Sequence, residues 1–398
     1  MTRDEKLRFL NENGGVLNLI PIFVPRLFGE AGHRLRLFYD DYFALGTKRG
    51  TIKERWFSSV ICANNGPDAA PDEGLSYVNV DGVKEHKISL KEFVDDLGRD
   101  IIGDYIFGKF GTWPMYSKFF DYEGPLFHHL HLGFEDAARV GKLGKPEAYY
   151  YPPQMNNYPG NFPHTYFGFS PEVTKEEVAE RLAHYTEKDI RITELSRAYR
   201  VALGTGWYTP PGVLHAPGSY LTYEPQWNSD VNSVFENVTD GEIYGKDFLT
   251  ENLPEEDKDS IEKVMALLDW DKNVDPDYRK HYFREPIVIE DNEDYTEKWI
   301  VYGNEYVAAK ELSVKPGRTA VVKDFAAYGC ILVQGWGQIQ GHDCATATQL
   351  RFGQLSQDEF FVSSDRAQAG LTVTNRSNCE PLVMLKHFPH NPTVPEKN

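Results

Sequence analysis

The amino-acid sequence predicts a mostly β protein made of two β-barrels with helical insertions. Two observations predict this class. Short aromatic or β-branched segments bounded by Gly, Pro and Asn turns fill the first 240 residues and return over 300–388, with an acidic, helix-forming stretch between them. At 398 residues the chain is also long enough for two packed units with sizeable cores.

In chain order, Arg55 to Ala63 (RWFSSVICA) and Pro114 to Phe120 read as strands. Ser170-Pro171-Glu172 offers an N-cap with proline at the first helical position. Val173, Val178, Leu182 and Tyr185 follow at helical spacing, so a helix is expected over 171–186. A second helix is expected over 255–270, where Ile261, Val264, Met265, Leu267 and Leu268 form an apolar stripe behind the acidic start Glu255-Glu256-Asp257. Strands are then expected at Trp299 to Tyr302, Thr319 to Lys323, Cys330 to Val333, Gln338-Ile339 and Leu382 to Lys386. The expected division is a first barrel domain over 1–240, a mainly helical connector over 241–299 and a second barrel over 300–398.

Hydrophobic residues at 41% and charged residues at 26% are ordinary for a globular chain. Acidic residues outnumber basic ones by 60 to 42, and a net charge of −18 without a basic patch argues against nucleic acid and anionic membranes as partners. Leu17 to Leu27 contains Pro21 and Pro25 and lacks the features of a secretory signal or a bilayer span, so a cytoplasmic location is expected. Cys62, Cys330, Cys344 and Cys379 lie far apart, without CxxC spacing, and read as reduced buried thiols.

In Phe127-His128-His129-Leu130-His131 alternate side chains of an extended segment share a face, so His129 and His131 point together and His128 away. Sixteen residues after His131, Glu147 opens the extended run Glu147-Ala148-Tyr149-Tyr150-Tyr151 behind Pro146. His215 follows the rigid turn Pro210-Pro211-Gly212. Singly, each histidine reads as an ordinary polar residue. Together, three imidazoles and a carboxylate suit one divalent metal: zinc first, with iron, manganese, nickel or copper also served by nitrogen and oxygen donors. His164, His387 and His390 lack a partner at ligand spacing and read as structural or surface residues.

These residues resemble a known family, the type I phosphomannose isomerases, collinearly over about 55–240. Glu54-Arg55-Trp56-Phe57-Ser58 resembles the family's Glu-Ser-Trp-Glu-x-Ser, and Pro114 to Asp121 with Glu123-Gly124-Pro125-Leu126 resembles the strand entering its metal site. His129-Leu130-His131-Leu132 stands where the family has Gln-x-His-Pro. Gly144-Lys145-Pro146-Glu147 is similar to its Lys-Pro-Glu, and Pro211 to Ala216 to its Pro-x-Gly-x-x-His-Ala. Glu224-Pro225-Gln226 and Asn228-Ser229-Asp230 match its Glu-x-Gln and Asn-Ser-Asp. The resemblance implies a double cupin whose first barrel holds a metal through His129, His131, Glu147 and His215, and an aldose–ketose isomerase activity. The second barrel has cupin-like turns at Val314 to Gly317 and Gly329 to Gly337 but no histidine–glutamate set, and is expected to be structural.

Two departures change the implied substrate. Val234 stands where the family has an arginine and Phe134 where it has a lysine, so two positive charges are lost. A sugar phosphate needs such charge. An unphosphorylated or altered carbohydrate is therefore the expected small-molecule substrate, with Tyr149, Trp207 and Tyr208 as substrate-binding aromatics. Proton transfer between adjacent carbons needs a base beside the metal, and Glu224 and Lys145 are the catalytic candidates. The rival readings are a metal cupin oxygenase and a non-catalytic sugar-binding cupin.

Overall fold

The computed structural model describes residues 1–156, 163–239 and 241–394. The first barrel is formed by two antiparallel sheets. One runs Phe283–Arg284, Gly206–Thr209, Glu147–Tyr150, Thr222–Trp227, Met115–Phe120, Thr51–Phe57 and Ile22–Arg26. The other runs Ser196–Arg200, His164–Phe169, His215–Ala216, His129–Leu130 and Ser233–Val234. The second barrel combines a nine-stranded sheet with the four-stranded sheet Thr319–Val322, Leu371–Asn375, Trp336–Ile339 and His342–Ala345.

Side-chain alternation explains how the barrels pack. In Tyr328–Gln334, Tyr328, Cys330 and Leu332 join the interior core of the second barrel, whereas Ile331 and Val333 join the cluster between the barrels. Met115 and Phe119 enter that same cluster from the first barrel, while Tyr116 and Phe120 face its inside. Sheets buried on both faces have few exposed positions, which is why Thr51–Phe57, Met115–Phe120 and Leu382–Phe388 are buried throughout.

Strand pairing crosses the division expected at residue 240, which itself lies outside the described residues. Val16–Ile20 pairs with Glu359–Val362 and so belongs to the nine-stranded sheet of the second barrel. In the connector, Ile287–Asp291 and Tyr295–Val301 pair with each other and extend that sheet as strands.

The expected helices are shorter than their apolar stripes. The first spans Lys175–Leu182 because Thr174, not Ser170, accepts the Glu177 N–H and sets the N-cap. The second breaks into a 3₁₀ turn Glu255–Asp257 and helices Ile261–Ala266 and Trp270–Asn273, where Ser260 and Asp269 cap new starts. Among the described residues, sequence reading missed five α-helices, Arg3–Glu12, Leu90–Leu97, Arg99–Phe110, Phe134–Arg139 and Ser364–Ala369, two of them opened by capping boxes at Thr2/Glu5 and Ser89/Glu92. The cysteines need one correction: Cys330 and Cys344 are buried but Cys62 and Cys379 are exposed, because they lie outside the strands. No helix among the described residues is long and apolar enough to cross a membrane.

Candidate metal centre

His129 and His215 sit opposite each other in a two-strand register, and His131 follows His129 by two residues, so all three imidazoles face the first barrel's interior. Their ligand atoms lie within 4.8 Å of one another. Glu147 reaches them from the facing sheet, with its Oε2 at 3.0 Å from His131 Nε2 and its Oε1 at 3.2 Å from His215 Nε2. All four residues are buried.

Backbone carbonyls orient the rings. His129 Nδ1 lies 2.9 Å from Phe127 O, His131 Nδ1 2.7 Å from Val231 O and His215 Nδ1 2.8 Å from Val213 O. A carbonyl only accepts, so each Nδ1 carries a proton and each Nε2 is the ring nitrogen turned inward, which offers a lone pair whenever the ring is neutral. Burial, then the nearby imidazoles, hold His129 well below the usual imidazole range; burial pushes His131 down to about 4. Burial pushes Glu147 upward, but the Lys145 ammonium beside it outweighs burial and keeps the carboxyl well below its usual range. Neutral imidazole lone pairs crowding a carboxylate repel it unless a cation stands among them, which is the donor set of a divalent metal.

Lys145 supplies such a positive charge, its Nζ lying 3.0 Å from His131 Nε2 and 3.1 Å from Glu147 Oε2. Glu224 Oε1 is 3.8 Å from Lys145 Nζ and 3.5 Å from Lys118 Nζ. Burial, reinforced by Glu147, pushes the Glu224 carboxyl up to about 8. Tyr149 donates its hydroxyl to Glu147 Oε1 at 2.8 Å.

The two remaining aromatics are not brought to the imidazoles. Trp207 shares the interior face but packs into a cluster with Phe167, Tyr199 and Phe283, at ring separations of 5.0, 4.9 and 5.1 Å. Tyr208 lies on the opposite face of its strand and packs toward Tyr282. As expected, His128 turns away, to Glu236. His387, read as structural or surface, is fully buried between Ser117 and Tyr223.

Sequence reading gave no role to a second set of charges in the barrel. Arg26 binds Glu54 in bidentate fashion at 3.1 and 3.2 Å and approaches Asp230 at 3.3 Å. Lys118 lies 3.5 Å from Glu54. Against the pull of burial, Glu224 and Glu54 hold the Lys118 ammonium above its usual range. The available signal was a lone charge within an aromatic strand, Lys118 in Met115–Phe120. Val234 pairs with His129, so the side chain at this position points into the barrel beside the imidazoles and carries no charge there. Phe134 instead packs on Trp227 and Tyr306, each at 5.1 Å.

No family model and no curated protein matches the chain by sequence. Solved structures match it by fold. Mannose 6-phosphate isomerase from Bacillus subtilis aligns with TM-score 0.60 and 17% identity over 94% of this chain and 99% of its own. A single-residue variant of phosphomannose isomerase from Salmonella typhimurium aligns at 0.62 and 10%, over 94% and 100%. A mannose 6-phosphate isomerase bound with zinc and yttrium aligns at 0.61 and 11%, over 94% and 100%. The chain is therefore a double cupin with the architecture of the mannose-6-phosphate isomerases, carried by a divergent sequence.

Proposed function

We propose that the protein is a zinc-dependent aldose–ketose isomerase acting on an unphosphorylated sugar. The observation that carries this reading is the convergence of three imidazoles, their Nε2 atoms turned inward, and the Glu147 carboxylate inside a barrel of this fold.

His129, His131, Glu147 and His215 would hold the metal. When bound, it supplies polarisation of the sugar oxygens, which acidifies the neighbouring C–H and steadies enediolate charge. Holding it requires Lys145 to give up its bond to His131 Nε2, and Glu224, 3.8 Å from that ammonium, is its next carboxylate partner. Glu224, pushed up to about 8, populates both protonation states near neutral pH and is suited to carrying a proton between adjacent carbons. Tyr149 fixes the rotamer of Glu147 through its hydroxyl. The choice of an unphosphorylated sugar is supported by charge pairing. Arg26, Lys118 and Lys145 each already face carboxylates, and Val234 adds no charge beside His129.

The test is metal analysis followed by incubation with mannose, fructose, lyxose and their phosphates in deuterated water. Zinc near one per chain, with deuterium entering a free sugar beside its carbonyl, is expected. Abundant iron with oxygen uptake would sink the reading in favour of an oxygenase. Binding without exchange into any sugar would leave a sugar-binding cupin.

A further inference from the structure

We infer that Tyr116, Gln226 and Thr209 form a strip that reads the hydroxyl groups of an open-chain sugar beside Glu147. The inference rests on the isomerase reading and names the part of that site that selects among sugars.

Cross-strand register places the strip. Thr209 pairs with Glu147, Glu147 with Gln226, and Gln226 with Tyr116. Directly opposed residues of antiparallel strands share a face, so these four side chains make one row across four strands. Glu147 in that row touches His131 and His215, which places the other three on the metal-facing wall. Tyr116 and Gln226 have 0% and Thr209 1% of their surface exposed.

The row leaves polar atoms unpaired. Among the described residues, no group hydrogen-bonds Tyr116 Oη, Thr209 Oγ1 or either end of the Gln226 amide. Buried hydroxyls and amides are nearly always paired, and apolar residues of the same size would fill the wall without that penalty. On the opposite face of the same strands the polar groups are paired: Ser117 and Tyr223 with His387, and Tyr150 with Glu311. Unpaired groups on the metal-facing side therefore point to a ligand.

The chemistry of the strip selects the ligand class. Tyr116 and Thr209 both donate and accept, and Gln226 offers two donors and one acceptor oxygen. A phosphate or carboxylate only accepts and would leave Gln226 Oε1 unpaired, whereas sugar hydroxyls satisfy every atom. Glu147 to Tyr116 spans two strand spacings, about 10 Å along the wall, a length that matches an extended six-carbon chain with its carbonyl end at the metal.

The test is calorimetry of zinc-loaded protein with D-mannitol and D-sorbitol, open-chain epimers that cannot react. Wild type is expected to bind one epimer about threefold or more tighter than the other, and Gln226→Leu to weaken both about tenfold and level their ratio. Tyr116→Phe and Thr209→Val, which keep the shape of the wall, are expected to weaken binding less, with zinc affinity unchanged. A purely structural role would lower melting or zinc affinity and leave the ratio intact, which overturns the inference. Wild-type binding in all three variants also overturns it, while deuterium exchange by wild type would keep the isomerase reading. If wild type binds neither polyol the inference falls, and if it exchanges no sugar either, the isomerase reading falls with it.

Discussion

Removing the Tyr149 hydroxyl should weaken metal binding without removing a ligand. Tyr149 and Glu147 are each 1% exposed, and the hydroxyl donates to Glu147 Oε1 at 2.8 Å. A hydrogen bond to a charged acceptor is worth about 1.5–3 kcal/mol. Loss of a residue that orients a metal ligand typically costs 10- to 100-fold in affinity, or about 1.4–2.7 kcal/mol. The two magnitudes agree, and the sign is set by the carboxylate: without its donor, Glu147 loses a fixed rotamer and binds a proton more readily. Tyr149→Phe is therefore expected to raise the zinc Kd 10- to 100-fold, read by competition with a chromophoric chelator. At free zinc 100 times the wild-type Kd, metal stabilises wild type by about 2.7 kcal/mol and the variant by only about 0.4–1.4 kcal/mol. Tyr150→Phe is the control, because the Tyr150 hydroxyl points to the other face and donates to Glu311. It should lower stability with and without zinc and leave the Kd unchanged. A Kd within twofold of wild type for Tyr149→Phe, or an equal change in Tyr150→Phe, refutes the reasoning.

Three further outcomes follow from the same structure. Glu147→Gln and His215→Ala should lose zinc while keeping the wild-type circular dichroism spectrum, since the first removes the set's only negative charge and the second one of its imidazoles; unchanged metal content in both contradicts the ligand set. His387, held down to about 3 by burial, stays neutral in the fold while the unfolded chain takes up a proton below about 6.5. Stability should thus fall as pH drops from about 6.5 toward 3, by up to about 1.4 kcal/mol per pH unit, and His387→Gln should flatten that slope in urea midpoints measured across pH. Parallel curves for the two proteins would exclude it. In the second barrel, Lys386 and Lys310 bridge Glu297 and Asp324 in a closed ring of four charges. Lys386→Met leaves two buried carboxylates on one ammonium and should cost about 3–5 kcal/mol, partly restored by adding Glu297→Gln; a loss under about 1 kcal/mol argues against the ring.

Much of the fold was legible because strand signals are local. Met115–Phe120, Tyr328–Gln334 and Leu382–Phe388 lie where aromatic and β-branched runs predicted strands. Helix ends were less legible, since Thr174, Ser260 and Asp269 compete as caps inside longer apolar stripes and the hydrogen bond that wins depends on the packed chain. In the site, the spacing of His129 and His131 put both on one face, and motif order brought Glu147 and His215 into the same set. The two-residue alternation of one strand could not separate Trp207, turned inward, from Tyr208, turned outward, without knowing which face met the core.

By itself, the sequence determined two barrels and placed three histidines and a carboxylate in extended or turn-bounded segments whose order resembles a metal site. These are local properties, carried by side-chain period, turn chemistry and the order of motifs. Only the tertiary structure decided that Val16–Ile20 completes the second barrel, that Lys145 sits against His131 and Glu147, and that Arg26, Glu54, Lys118 and Asp230 neutralise one another inside the first barrel. It also aligned Thr209, Glu147, Gln226 and Tyr116 in one row. Pairing register and desolvation arise between segments far apart in the chain, so no single stretch of sequence contains them.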